Sequence, residues 1–188
     1  TGYLQQPDAY RRYDPDLFDA LARIVREDRT LGALESSGIL RACFFGETLT
    51  GADRPLWHRH ALEATAGADA VFLDPDNGLE TARMHARGAA TDKHVAWQEA
   101  GAYFERGQSV ILYQHRPQRQ KKAACVRRVL EDARAVLPAD APRILEFPRY
   151  TTRFYFLFAQ PAHRDALEAA YRAVAQSWKG LCTPVAPE

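Results

Sequence analysis

Residues 71–80 read VFLDPDNGLE. Val71, Phe72 and Leu73 run directly into Asp74-Pro75-Asp76-Asn77-Gly78, so a buried strand must end abruptly in an acidic turn. This junction constrains the fold more than any other stretch. In open α/β sheets ligands bind at the carboxyl ends of strands. Carboxylates placed there are expensive to bury without partners. A polar turn that stops the strand and caps the next element would use the same residues.

The rest of the chain supplies elements to pair with that strand. Residues 1–15 read as an irregular lead-in. Pro15 opens a helix over about 16–29, with Leu17, Phe18, Leu21, Ile24 and Val25 on one face. Thr30 caps a short helix ending near Gly38, and Ile39 to Phe45 reads as a strand. A helix over 55–66 precedes the 69–74 strand. A basic, Gly/Ala-rich loop with Arg83, His85, Arg87 and Gly88 follows the acidic turn, and its length suits a mobile substrate-side loop. Then come a helix over 95–106, a strand from Ser109 to His115, and a long amphipathic helix over 118–137. Ile144–Phe147 and Phe154–Ala159 read as strands of an antiparallel hairpin across Pro148–Arg153. A helix over 162–179 and a loose, Pro-rich tail over 180–188 close the chain. The alternation predicts a single α/β domain over 1–188, its sheet mostly parallel, flanked by helices and ending in the hairpin.

Two strand ends carry the candidate chemistry. One offers Asp74, Pro75, Asp76, Asn77 and Glu80; the other offers Tyr113, Gln114, His115 and Arg116. Consecutive parallel strands usually lie side by side, so both ends are expected to line one crevice. A carboxylate facing an imidazole can support general base work, amino-group binding or metal coordination. Residues 116–128 hold Arg116, Arg119, Lys121, Lys122, Arg127 and Arg128 with no acid among them. At a helix start such a cluster suits a phosphate group; it also reads as a solvated helix face. Arg11, Arg12 and Arg149 to Arg153 (RYTTR) are expected to extend a basic, aromatic surface. His58 and His60 are two apart, whereas ligand pairs on a helix want three or four.

Composition narrows the class without naming a partner. The chain has 188 residues, 46% hydrophobic and 26% charged, enough for one globular α/β domain. The net charge of +1 gives no bulk argument for nucleic acid or membrane. Three separated cysteines, Cys43, Cys125 and Cys182, fit a reducing cytoplasm. No apolar run approaches the ~20 residues of a membrane span, and no secretory leader is expected.

The strand-plus-DP pattern and the closing hairpin resemble class I S-adenosylmethionine-dependent methyltransferases, closest to the Rossmann-like amino-methylating group that acts on nucleic acid bases. That family carries an acidic or amide residue, two prolines and an aromatic at the end of its fourth strand. Asp74 and Pro75 match; Asp76 and Asn77 stand where the second proline and the aromatic belong. The resemblance implies that Asp74 and the Pro75 carbonyl receive an amino group, with Asp76, Asn77 and His115 lining the pocket. It makes 39–45 the third strand, SVILYQH the fifth and the hairpin the sixth and seventh. Tyr113 is the candidate to replace the missing aromatic, while Arg116, Arg119, Lys121 and Lys122 would hold phosphates. The implied cofactor is S-adenosylmethionine. Its glycine-rich loop has no counterpart in this sequence, and the resemblance implies that the earliest strands precede Thr1. DPDNGLE together with YQHRP also resembles a family of bacterial proteins, some in mobile or prophage-like contexts; that likeness implies no activity.

Two other classes compete. A metal-dependent phosphoester hydrolase or nuclease would hold Mg2+ with Asp74, Asp76 and Glu80, assisted by His115 or Lys93. A non-catalytic binding module would use the acidic turn only as structure.

Overall fold

The structure is a computed structural model and describes residues 2–49, 53–81, 84 and 92–187. The loop residues Arg83, His85, Arg87 and Gly88 lie outside the described residues. The chain, expected to form one domain, divides into two compact units, Thr1–Thr48 and Leu49–Glu188.

The first unit is helical. Gly2–Gln5 forms a 3-10 turn, Pro7–Tyr10 a short helix (α1) and Arg11–Tyr13 another 3-10 turn, so the expected irregular lead-in is mostly ordered turn. Helix α2 spans Pro15–Glu27. The Asp14 side chain accepts from Leu17 N at 3.0 Å, and Pro15 sits where its missing N–H costs nothing. Arg11 forks onto Asp19 with bonds of 2.8 and 2.7 Å. Thr30 caps α3, Leu31–Ser36, through Ala33 N. The strand expected over 39–45 does not form; this stretch is irregular and 41% of Leu40 is exposed. β-branched and aromatic residues suit a strand only where a partner strand exists, and this unit has none among its described residues.

The second unit holds the sheet. Helix α4 is Arg54–Ala64, β1 Ala70–Leu73, α5 Trp97–Glu105, β2 Ser109–His115, α6 Lys122–Ala133, β3 Arg143–Phe147, β4 Arg153–Phe158, α7 Arg164–Ser177 and β5 Thr183–Val185. The strand order is β1-β2-β4-β3-β5. β1 and β2 are parallel, with Leu73 opposite Leu112. β4 lies antiparallel to both β2 and β3, and β5 antiparallel to β3. The sheet is therefore mixed, and the expected mostly parallel arrangement holds only for β1 against β2. The expected hairpin is β3–β4, and its return strand inserts beside β2.

Alternation sets the two faces. Val110, Leu112 and Gln114 point to one side of β2 and are buried; Ile111, Tyr113 and His115 point to the other and are half-buried. The first side carries Val71, Ile144, Phe154, Phe156 and Phe158, which form one core with Trp97, Ala100 and Phe104 of α5 and Cys125, Val126 and Val129 of α6. On the other side α7 meets β3, where Arg143 pairs with Glu168 at 2.6 Å. The tail, expected to be loose, pairs as β5 and sets Val185 against the core.

Candidate functional site

The parallel pairing of β1 and β2 brings their carboxyl ends to one edge. There Pro75–Gly78 closes a turn, with Gly78 N donating to Pro75 O at 3.3 Å. Gly78 has φ +82, and a Cβ there would lie 2.6 Å from the Gln114 amide nitrogen, so this position requires glycine. The contact exists because Gln114 clamps the turn. Its Oε1 accepts from Leu79 N at 2.9 Å, and its Nε2 donates to His115 O at 2.6 Å. Only 2% of Gln114 is exposed.

A second clamp joins the turn to the segment before α5. Asn77 N donates to Lys93 O, Val95 N to Gly78 O and Glu80 N to Val95 O, at 2.9 to 3.2 Å. Glu80 is 4% exposed; its Oε1 accepts from Trp97 N at 3.1 Å and its carbonyl accepts from the Trp97 indole at 3.2 Å. Arg54 completes the support, bonding Glu99 and the His94 carbonyl. These bonds fix the DPDN turn from both sides while Asp74 and Asp76 stay exposed.

Although Asp74 is exposed as a residue, its carboxyl is partly shielded from water. That desolvation first, and the charge of Asp76 second, holds it above the usual carboxylate range. Its neighbour on the sheet is aromatic. Burial first, then the Asp74 charge, pushes the Tyr155 hydroxyl up from its ordinary value. The Tyr155 ring lies 5.7 Å from Tyr113, 6.1 Å from Phe72 in a stacked arrangement and 5.2 Å from Phe147. Phe72 is 52% exposed. The edge thus combines a partly desolvated carboxyl with an aromatic cluster in which Phe72 is exposed and Tyr113 and Tyr155 are half-buried.

The basic residues divide into committed and uncommitted groups. Arg116 turns back onto the carbonyls of Pro117, Gln118 and Gln120, the last at 2.7 Å, so it shapes its own turn. Lys122 pairs with Glu146. Neither is placed as the phosphate contact expected of it. Arg119 and Lys121 are exposed and have no ion-pair partner among the described residues. The helix expected over 118–137 begins only at Lys122 and ends at Ala133, because 117–120 closes a turn first.

Asp74, Pro75, Asp76, Asn77, Tyr113 and His115 therefore share one edge, as expected, but Asp74 and His115 share no hydrogen bond among the described residues. An acid–imidazole pair is not formed. Asp74, Asp76 and Glu80 do not converge either, since Glu80 is buried as the support of α5. No group of three His, Cys, Asp or Glu side chains among the described residues is placed to hold a metal, so the Mg2+ arrangement does not fit. Among the described residues β1 leads into the DPDN turn, β2 into Arg116–Lys121 and β4 into Gln160–Pro161, and none of these offers a glycine-rich turn opening a helix.

Sequence reasoning missed Gln114 as the clamp and Phe72 and Tyr155 as the aromatic surface. Gln114 had a signal, a polar residue directly after the apolar run of β2, whereas Phe72, Tyr113 and Tyr155 lie on three strands and meet only through the strand order. No protein-family model matches the chain, and neither does any curated protein or solved structure.

Proposed function

We propose that this α/β domain is methyltransferase-like and acts on nucleic acid, receiving the exocyclic amino group of a base at the carboxyl edge of β1 and β2. One observation carries the reading: Asp74 directly follows Leu73, which pairs with Leu112, so it ends the strand carrying Phe72 next to the position of Tyr113, which pairs with Tyr155. A carboxylate accepts from an amino N–H in a charge-assisted bond, and a base can lie on the aromatic rings. Tyr113 and Tyr155 supply the stacking group that the DPDN turn lacks. Asp76 and Asn77 border the amino site, and His115 borders the rings.

The test is discrimination between oligonucleotides alike except for cytosine in place of uracil, which exchanges an amino group for a carbonyl. Fluorescence anisotropy gives about fivefold to tenfold tighter binding of cytosine, in line with the 1–3 kcal/mol typical of a good base-edge contact. Asp74→Ala abolishes the preference. Equal affinity for both bases in the parent protein sinks the reading.

Transfer of a labelled methyl group from S-adenosylmethionine to the bound base distinguishes a catalytic site from a non-catalytic binding module.

A further inference from the structure

We infer that this edge takes single-stranded nucleic acid rather than a duplex, with Tyr150 stacking a second base and Arg149, Arg153, Arg119 and Lys121 facing the phosphates. The inference rests on the reading above and adds the form of the substrate. The register puts these residues together. His115 lies opposite Arg153, and Arg153 opposite Phe147, so the 148–152 hairpin loop projects at the same edge as the DPDN turn. Arg116 N donates to Thr152 O at 2.8 Å, tying that loop to the segment carrying Arg119 and Lys121.

Tyr150 is the unusual residue. It is 85% exposed at the loop tip and has φ 58, a backbone region that side chains other than glycine rarely adopt. No burial holds it there. The Arg149 guanidinium lies over its ring, 4.9 Å from the centroid, and Arg153 Nη1 bonds the Arg149 carbonyl at 2.9 Å. The loop thus presents an exposed ring with the Arg149 guanidinium over it. Neither 148–153 nor 115–130 contains an acid, so the surface from Arg119 to Arg153 complements a polyanion. Asp74, in contrast, lies beyond β2, where an amino group and not a phosphate would meet it.

The choice of strand form follows from stacking. In a duplex each base is covered above and below by its neighbours, and its Watson–Crick edge is already paired. Rings on a sheet face and at a loop tip can stack only unpaired bases, and they do so with little regard to sequence.

The experiment measures anisotropy of labelled oligonucleotides of about twelve nucleotides, as single-stranded DNA, single-stranded RNA and the DNA duplex of the same cytosine-containing sequence. Single strands of either sugar bind at least tenfold tighter than the duplex. Tyr150→Gly relieves the left-handed backbone and removes the ring; it lowers single-strand affinity about fivefold or more without lowering the melting temperature. Arg119→Gln with Lys121→Gln flattens the salt dependence of binding. Duplex binding as tight as single-strand binding overturns this inference and leaves the amino-group site standing. Unchanged single-strand affinity in folded Tyr150→Gly also overturns it. Binding of neither form overturns both.

Discussion

Asp74 is a carboxylate held against its own solvation, and that has a consequence for stability. Its folded-state value lies above the ordinary 3.8, so its contribution to stability is fully present below that pH and is lost as pH rises through the folded value. At neutral pH the ionised group therefore costs stability, as functional sites often do. Asp74→Asn is expected to raise the melting temperature at pH 7, with the gain shrinking towards pH 4; calorimetry across that range checks it. The supports behave oppositely. Gln114→Leu leaves Leu79 N buried without its acceptor, a loss of about 1–3 kcal/mol, read as a lower urea midpoint. His58 gives a pH signature of the other sign. Its Nε2 is buried with no hydrogen bond, its ring edge faces Tyr103 at 5.4 Å, and burial first lowers its value below 6.5. Below about pH 6.5 the unfolded chain binds a proton that the folded chain refuses. Stability should fall on acidification, and His58→Phe should blunt that fall in urea titrations between pH 7 and 5.

At the scale of elements, the outcome depended on where each residue's partners lie. β2 was legible from end to end, because SVILYQH holds a continuous apolar run over 110–113 bounded by Gly107-Gln108 and Pro117. Helix α2 was legible from its amphipathic face and Pro15. The 39–45 stretch has equal strand character and stays irregular, since strand propensity has no force without a ladder to join. β5 was missed for the converse reason: Thr183-Pro184-Val185 has little pattern, but the exposed edge of β3 supplies partners for it. The edge of α6 was misread because basic residues continue the helical composition across a turn. The tail then matters energetically. Val185 lies opposite Ile144 and packs on the core, so Val185→Glu should cost about 1–3 kcal/mol, lowering the urea midpoint with an unchanged slope.

At the scale of the whole molecule, the candidate site belongs to one of two units. The contiguous core runs from Val71 to Phe158 with Val185 against it, all within Leu49–Glu188. Residues 49–188 expressed alone should unfold cooperatively, with tryptophan fluorescence and far-ultraviolet dichroism tracing one transition. The acidic edge was legible because a strand end announces itself locally. The aromatic surface was not, because Phe72, Tyr113 and Tyr155 lie on three strands and meet only through the insertion of β4 beside β2. No described helix is long and apolar enough to cross a membrane. The proposal that this sheet edge lies against nucleic acid bases is tested by zero-length ultraviolet cross-linking of a cytosine-containing single strand, read by peptide mass spectrometry. Cross-links are expected on the peptides carrying Tyr113, Tyr150 and Tyr155, lost when unlabelled single strand competes. Cross-links confined to other parts of the chain, with none on those three peptides, would contradict it.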